Sequence, residues 1–182
     1  MNTEYPVKKR ALSLSVGIFL ILLQVLTHCA FYSFKGTIPT HLKNMRLEPF
    51  ENRTAEFNIE LEVDEELNTR LQQTRLLTLT TSPEADSHIE GVIKSISDIP
   101  STYDKSENVT EYRLQISGQV IWQDDTMNKP LFSKNINEYG TYFSEIENSQ
   151  LSTDAQRNRD DAKVEAIRKI VDRIIESMTE GW

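Results

Sequence analysis

Between residues 111 and 123 the chain alternates apolar and polar side chains. Tyr112, Leu114, Ile116, Gly118, Val120 and Trp122 interleave with Glu111, Arg113, Gln115, Ser117, Gln119 and Gln123, and Ile121 is the one interruption. Successive side chains of a strand point to opposite faces, so this period describes an antiparallel strand buried on one side and wet or partner-facing on the other. Such a sheet needs a second layer over its apolar face. The rest of the chain has to supply that layer.

Two segments have the period of a covering helix. In residues 58–73, Val63, Leu67 and Leu71 recur every four positions. Glu60, Glu62, Asp64, Glu65 and Glu66 crowd the start of this segment and Arg70 and Arg75 its end, which is the charge order that a helix dipole favours. The acidic run reads as a solvated face, because hard cations need oxygens converging on one point. Near the C-terminus, Val164, Ile167, Ile170, Val171, Ile174, Ile175 and Met178 form a long apolar stripe of the kind that faces a core. Thr153-Asp154-Ala155-Gln156 predicts a capping box at its start, and Gly181 a left-handed end before Trp182.

The other strands are less regular. Residues 46–50 (RLEPF) predict a first strand ending at Pro49, and residues 76–81 (LLTLTT) an extended run closed by Pro83. Residues 89–97 predict a strand with Gly91 at a bulge or a close approach, followed by a turn-rich connection over 99–104. Residues 124–129 predict a hairpin loop, and residues 131–143 a returning strand with a bulge near Gly140. The expected fold is α+β: a two-layer sandwich of two helices on a mostly antiparallel sheet of about four strands, in the order β-α-β-β-β-α.

The N-terminus addresses the chain to a membrane. Lys8-Lys9-Arg10 precedes residues 11–27, which carry no charge. Positive flanks stay on the cytoplasmic side, so the remainder is exported. The run has 17 residues, the low end of what spans a bilayer, and it reads as an export signal over residues 1–28. Retained, it would be a single-span anchor. The one cysteine, Cys29, excludes a disulfide within the chain. Residues 29–45 then read as an extended leader, punctuated by Gly36 and Pro39, and residues 46–182 as one domain.

Charge and motifs exclude other classes. The chain carries −8 and its first ten residues +2, so residues 11–182 carry −10. Such acidity, without a basic cluster, argues against nucleic acid. Of the three histidines, His28 lies in the export segment, and neither His41 nor His88 belongs to a hydrolase or zinc signature. No phosphate-cradling glycine loop is present. The reading is of a protein without catalytic residues, cofactor or metal site. Two Asn-x-Thr patterns, at Asn52 and Asn108, match a glycosylation acceptor that matters only in a eukaryotic secretory route.

Two resemblances extend this reading. Leu26-Thr27-His28-Cys29 resembles the lipobox of bacterial lipoproteins, with His28 where a small residue is usual. It implies cleavage after His28 and acylation of Cys29. The segment from Cys29 onward resembles the LptE-type lipopolysaccharide-assembly lipoproteins, in the version of the Bacteroidetes and Chlorobi group. The pieces are Phe31-Tyr32-Ser33-Phe34-Lys35-Gly36, Ile38-Pro39, Glu48-Pro49-Phe50-Glu51-Asn52, Thr74-Arg75-Leu76, Ile89-Glu90-Gly91-Val92-Ile93 with Pro100 and Tyr103, Tyr112-Arg113-Leu114, and Gly181-Trp182. The resemblance implies a non-catalytic protein on the periplasmic side of the outer membrane, partnering an LptD-type β-barrel and lipopolysaccharide. Direct contact with that anionic lipid would call on Lys94, Arg113, Lys129 or Lys134 of the sheet region. The alternative is an adaptor of another envelope complex, held in the inner membrane by one span.

Overall fold

A computed structural model describes residues 38–179. Cys29, the export segment, Gly181 and Trp182 lie outside the described residues. The strands are β1 (Asn44–Leu47), β2 (Glu51–Asn52), β3 (Thr78–Leu79), β4 (Ser87–Tyr103), β5 (Val109–Asp124) and β6 (Lys129–Phe143). The helices are α1 (Ile59–Thr74), α2 (Glu145–Gln150) and α3 (Arg159–Thr179). The sheet runs β3-β1-β4-β5-β6, with β2 beside β1 on the same edge of β4. The α+β sandwich is as expected, with more strands and one more helix. β4, β5 and β6 form an antiparallel meander, while β1, β2 and β3 add in parallel.

The single first strand expected over 46–50 is two short ones. Pro49 has no N–H to give a ladder, so pairing stops at Leu47 and resumes at Glu51. The N–H groups of Glu48 and Arg53 still donate to the carbonyls of Ile89 and Ile93, at 2.9 and 3.0 Å.

The turn expected over 99–104 is not there. β4 continues through Pro100 to Tyr103. Beyond Ile93 its outer edge has no neighbour among the described residues, so the missing Pro100 N–H faces no described strand, and register shifts around Thr102 absorb the irregularity. The expected bulge near Gly140 is also absent, since β5 and β6 stay in register there. Gly140 instead lets helix α3 approach, and a Cβ on it would overlap the carbonyl of Ala162. At Gly91 the close approach is to the Phe50 ring.

The long C-terminal helix starts six residues later than its predicted cap. Residues Thr153–Ala155 form a 3-10 turn, and Gln156 is extended. Phe143 N–H donates to the Arg157 carbonyl and Asn148 Oδ1 accepts from Arg157 N–H, which pins the backbone to β6 and α2 before a helix can begin. Asn158 and Asp161 then cap reciprocally: Asp161 N–H reaches Asn158 Oδ1 at 3.0 Å, and Asn158 N–H reaches Asp161 Oδ2 at 2.8 Å.

The core lies between the helices and one face of the sheet. Ile59, Val63, Leu67 and Leu71 of α1 meet Ile89, Leu114, Ile116, Val120 and Trp122 of the sheet and Ala166, Ile170, Val171 and Ile174 of α3. Each large apolar side chain so buried stabilises the fold by about 1.5–3 kcal/mol. Val164, assigned to the stripe by spacing, is 50% exposed. Ala162 and Ala166 take the inward positions of those turns, where the helix lies close to Gly140.

Ion pairs link the two long helices. Glu56 just before α1 meets Arg159 at 3.1 Å, Glu62 meets Lys163 at 2.8 Å, and Arg70 pairs with Asp172. The same order along both helices means that they run parallel.

Candidate interaction surface

Among the described residues, the helices cover one face of the sheet and leave the other open. Alternation decides what that open face carries. Because Ile93, Leu114, Ile116, Val120 and Ile136 point into the core, their neighbours point out. Cross-strand register stacks these outward residues in rows: Ser97 beside Gln115 beside Tyr139, Ser95 beside Ser117 beside Asn137, and Gln119 beside Asn135. The face therefore presents rows of hydroxyls and amides, with Val92, Ile99 and Ile121 among them.

These groups bond to one another. Lys94 Nζ donates to Gln119 Oε1 at 2.9 Å, and Gln119 Nε2 donates to Ser133 Oγ at 3.2 Å, a chain across three strands. Ser117 Oγ donates to Asn137 Oδ1 at 3.3 Å. Arg113 lies over the Tyr139 ring, 4.8 Å from its centroid. Lys169 reaches the same ring from α3, also at 4.8 Å, and donates to the Tyr139 carbonyl.

Among the outward positions of β4, β5 and β6, no carboxylate falls between the row of Glu90 and that of Glu111. The acidity sits on the helical side. There Arg159 bonds Glu56 and also Asp98, each at 3.1 Å, and its guanidinium is held protonated even more firmly than usual by those carboxylates. The Arg159 bond lowers the Glu56 carboxyl. Burial first, and then Asp98, push the Tyr142 phenol up to about 12; its hydroxyl donates to Asp98 at 3.1 Å, and its ring stacks on Tyr112 at 5.2 Å.

Of the sheet cations singled out in the sequence, Lys94 and Arg113 stand on this open face. Lys134 turns to the helical side and donates to Ser177 Oγ at 3.0 Å, and Lys129 opens β6 at the far end. The acidic run of α1 disperses as expected: Glu60 accepts from Asn52, Glu62 pairs with Lys163, and Asp64 accepts from Phe50 N–H. His41 Nε2 and His88 Nδ1 each lie 2.8 Å from a carboxylate, Asp124 and Asp125 respectively. Among the described residues no group of three or more His, Cys, Asp or Glu side chains could hold a metal ion, and no helix is long and apolar enough to cross a membrane.

The row of Ser133, Asn135 and Asn137 escaped the sequence reading, although every second residue of that stretch is small or amide-bearing. Its signal is an alternation of polar types rather than of hydropathy.

Known proteins agree with this architecture. Rare lipoprotein B from Shewanella oneidensis superposes with a TM-score of 0.51 at 16% identity, covering 73% of this chain and 92% of that one. Protein XCC0632 from Xanthomonas campestris gives 0.51 at 6% identity, covering 79% and 90%. At such identities the likeness is one of fold. No curated protein sequence matches the chain. The family model for LptE, described as lipopolysaccharide-assembly, matches residues 42–178, three quarters of the chain. The protein therefore belongs to the LptE family of lipopolysaccharide-assembly proteins.

Proposed function

We propose that this protein is a non-catalytic lipoprotein of the outer membrane that partners an LptD-type β-barrel in delivering lipopolysaccharide. In this reading residues 1–28 are the export signal, cleavage after His28 frees Cys29 for acylation, residues 29–45 lead from the lipid to the domain, and the domain faces the periplasm. Two or more acyl chains, at about 0.8 kcal/mol per buried methylene, anchor such a protein stably.

The observation that carries the barrel partnership is the open sheet face. Most of its side chains are hydroxyls and amides, set among Val92, Ile99 and Ile121 and the cations Lys94 and Arg113, and the interior wall of an outer-membrane barrel is polar. The Ser, Asn and Gln side chains of the face can exchange their water for such a wall without losing hydrogen bonds. The same face keeps its carboxylates away and offers Arg113 and Lys94, which suits an anionic lipid passing nearby. Family membership and the fold shared with rare lipoprotein B support the same reading.

The test is a mild-detergent pull-down of the tagged protein from native outer membranes, with intact mass of the bait. Recovery of a large β-barrel in near-stoichiometric amount, with bait beginning at an acylated Cys29, is the expected result. Bait found in inner membranes with residues 1–28 attached and no barrel would overturn the proposal in favour of a single-span adaptor.

A further inference from the structure

The segment that would join the lipid anchor to the domain is held in an unusual way. Among the described residues, strand pairing begins at Asn44. Residues 38–43 before it make one ladder-like bond to the sheet, from Thr78 N–H to the Lys43 carbonyl at 2.9 Å. Leu42 is their one fully buried side chain, and its N–H closes a turn on the Pro39 carbonyl at 3.0 Å.

Ile38 packs part-buried against the core, and the polar attachments go to two carboxylates, one before β4 and one at the end of β5. His41 Nε2 lies 2.8 Å from Asp124 Oδ2. The backbone N–H groups of Lys43 and Asn44 both donate to Asp86 Oδ2, at 2.7 and 2.9 Å. The backbone around each carboxylate has contacts besides those to the segment. Asp124 Oδ1 accepts from Thr126 Oγ1 at 2.6 Å and from Met127 N–H at 2.9 Å. The Asp86 carbonyl accepts from Asp125 N–H at 2.9 Å. The receiving loops are thus formed by their own contacts, and water can take the place of the departing donors.

We infer that residues 38–43 are a strap that detaches from the folded domain and lengthens the tether, an inference that rests on the membrane-anchored reading above. An extended chain spans about 3.3–3.6 Å per residue, so releasing six residues adds up to about 20 Å of reach. That is most of the roughly 25 Å height of an outer-membrane barrel's apolar band. The docked strap keeps the domain near the membrane surface, and the released strap lets it rise into a barrel without the anchor leaving the bilayer.

Hydrogen exchange on the full chain in detergent tests the release. Amides of Leu42 and Lys43 are expected to exchange through a local opening with little dependence on urea, while those of Ile116 and Trp122 exchange with the strong urea dependence of global unfolding. His41→Ala and, independently, Asp86→Ala should each speed the strap amides roughly tenfold, leaving the β5 rates unchanged. Strap amides that share the rate and urea slope of β5 in the parent protein would overturn the inference. Reach is read by energy transfer from a dye on Ser106→Cys, at the exposed β4–β5 tip, to an acceptor in vesicles holding the acylated protein. Transfer should fall in the His41→Ala/Asp86→Ala double variant, and unchanged transfer refutes a lengthened tether. Failure of the protein to hold to vesicles at all strikes the anchored reading instead, while the exchange result still decides the strap.

Discussion

Asp124 shows how one residue outside every motif can matter to the fold. Its side chain is fully buried where the alternation of β5 runs out. Burial pushes its carboxyl up, yet bonds from Thr126, His41 and Met127 N–H outweigh that and hold it down at about 2. A depressed carboxyl stabilises the fold at pH above its unfolded value, roughly 3.9, and that contribution is lost as pH falls through about 2. Asp124→Asn should therefore lower stability at neutral pH and flatten the decline below pH 4, read from urea midpoints measured across pH. The glycines make a second residue-level comparison. A methyl at Gly140 meets backbone of α3, whereas one at Gly91 meets a ring that can turn. Gly140→Ala should cost about 2–3 kcal/mol in urea unfolding, and Gly91→Ala distinctly less.

Among the elements, legibility followed chemical contrast. β5 was readable because it sits centrally, with apolar side chains inward and polar ones outward. β6 keeps the same geometry, but as an edge strand it points Lys134 and Glu138 to the helical side, where Ser177 and Arg173 of α3 receive them. Hydropathy alone made that strand look broken. Strands of two to four residues, such as β1, β2 and β3, are too short to show a period. The cap of α3 was misplaced because Thr153-to-Gln156 and Asn158-to-Asp161 are equally good local patterns, and only the contacts of Arg157 with Phe143 and Asn148 decide between them. Asn158→Ala should accordingly cost about 1 kcal/mol, and Thr153→Ala less than about 0.5, in thermal or urea unfolding. Inward charges also guard a free edge against pairing with another chain. Lys134→Ile should produce concentration-dependent self-association on size exclusion, which Lys134→Arg should not.

For the whole molecule, the two sheet faces divide the roles. One is sealed by helices and carries the acidic network; the other presents amides and hydroxyls in register. The sequence showed that a wet face exists, since β5 alternates. Its full extent needed β4 and β6 placed beside β5, because no short stretch of chain contains a row that crosses three strands. The proposed interaction surface predicts a separation of stability from partnership. Ser117→Glu with Asn137→Glu should leave the melting temperature nearly unchanged while sharply reducing barrel recovery in the pull-down. A charge change on the exposed flank of α1, Glu65→Lys, should leave recovery intact.

The parallel attachment of β1, β2 and β3 has a consequence in time. β4, β5 and β6 pair with their sequence neighbours through short turns, but β1 sits between β3 and β4, whose pairing residues begin more than thirty positions later at Thr78 and some forty later at Ser87. Non-local pairings of this kind form late, after the loop between them has closed. A chain that emerges N-terminus first thus presents Leu42, Met45 and Phe50 before their partners exist, and these side chains stay uncovered until the meander is complete. Folding is therefore expected to begin in the second half of the domain and finish at its beginning, so that the first residues of the domain are the last to settle.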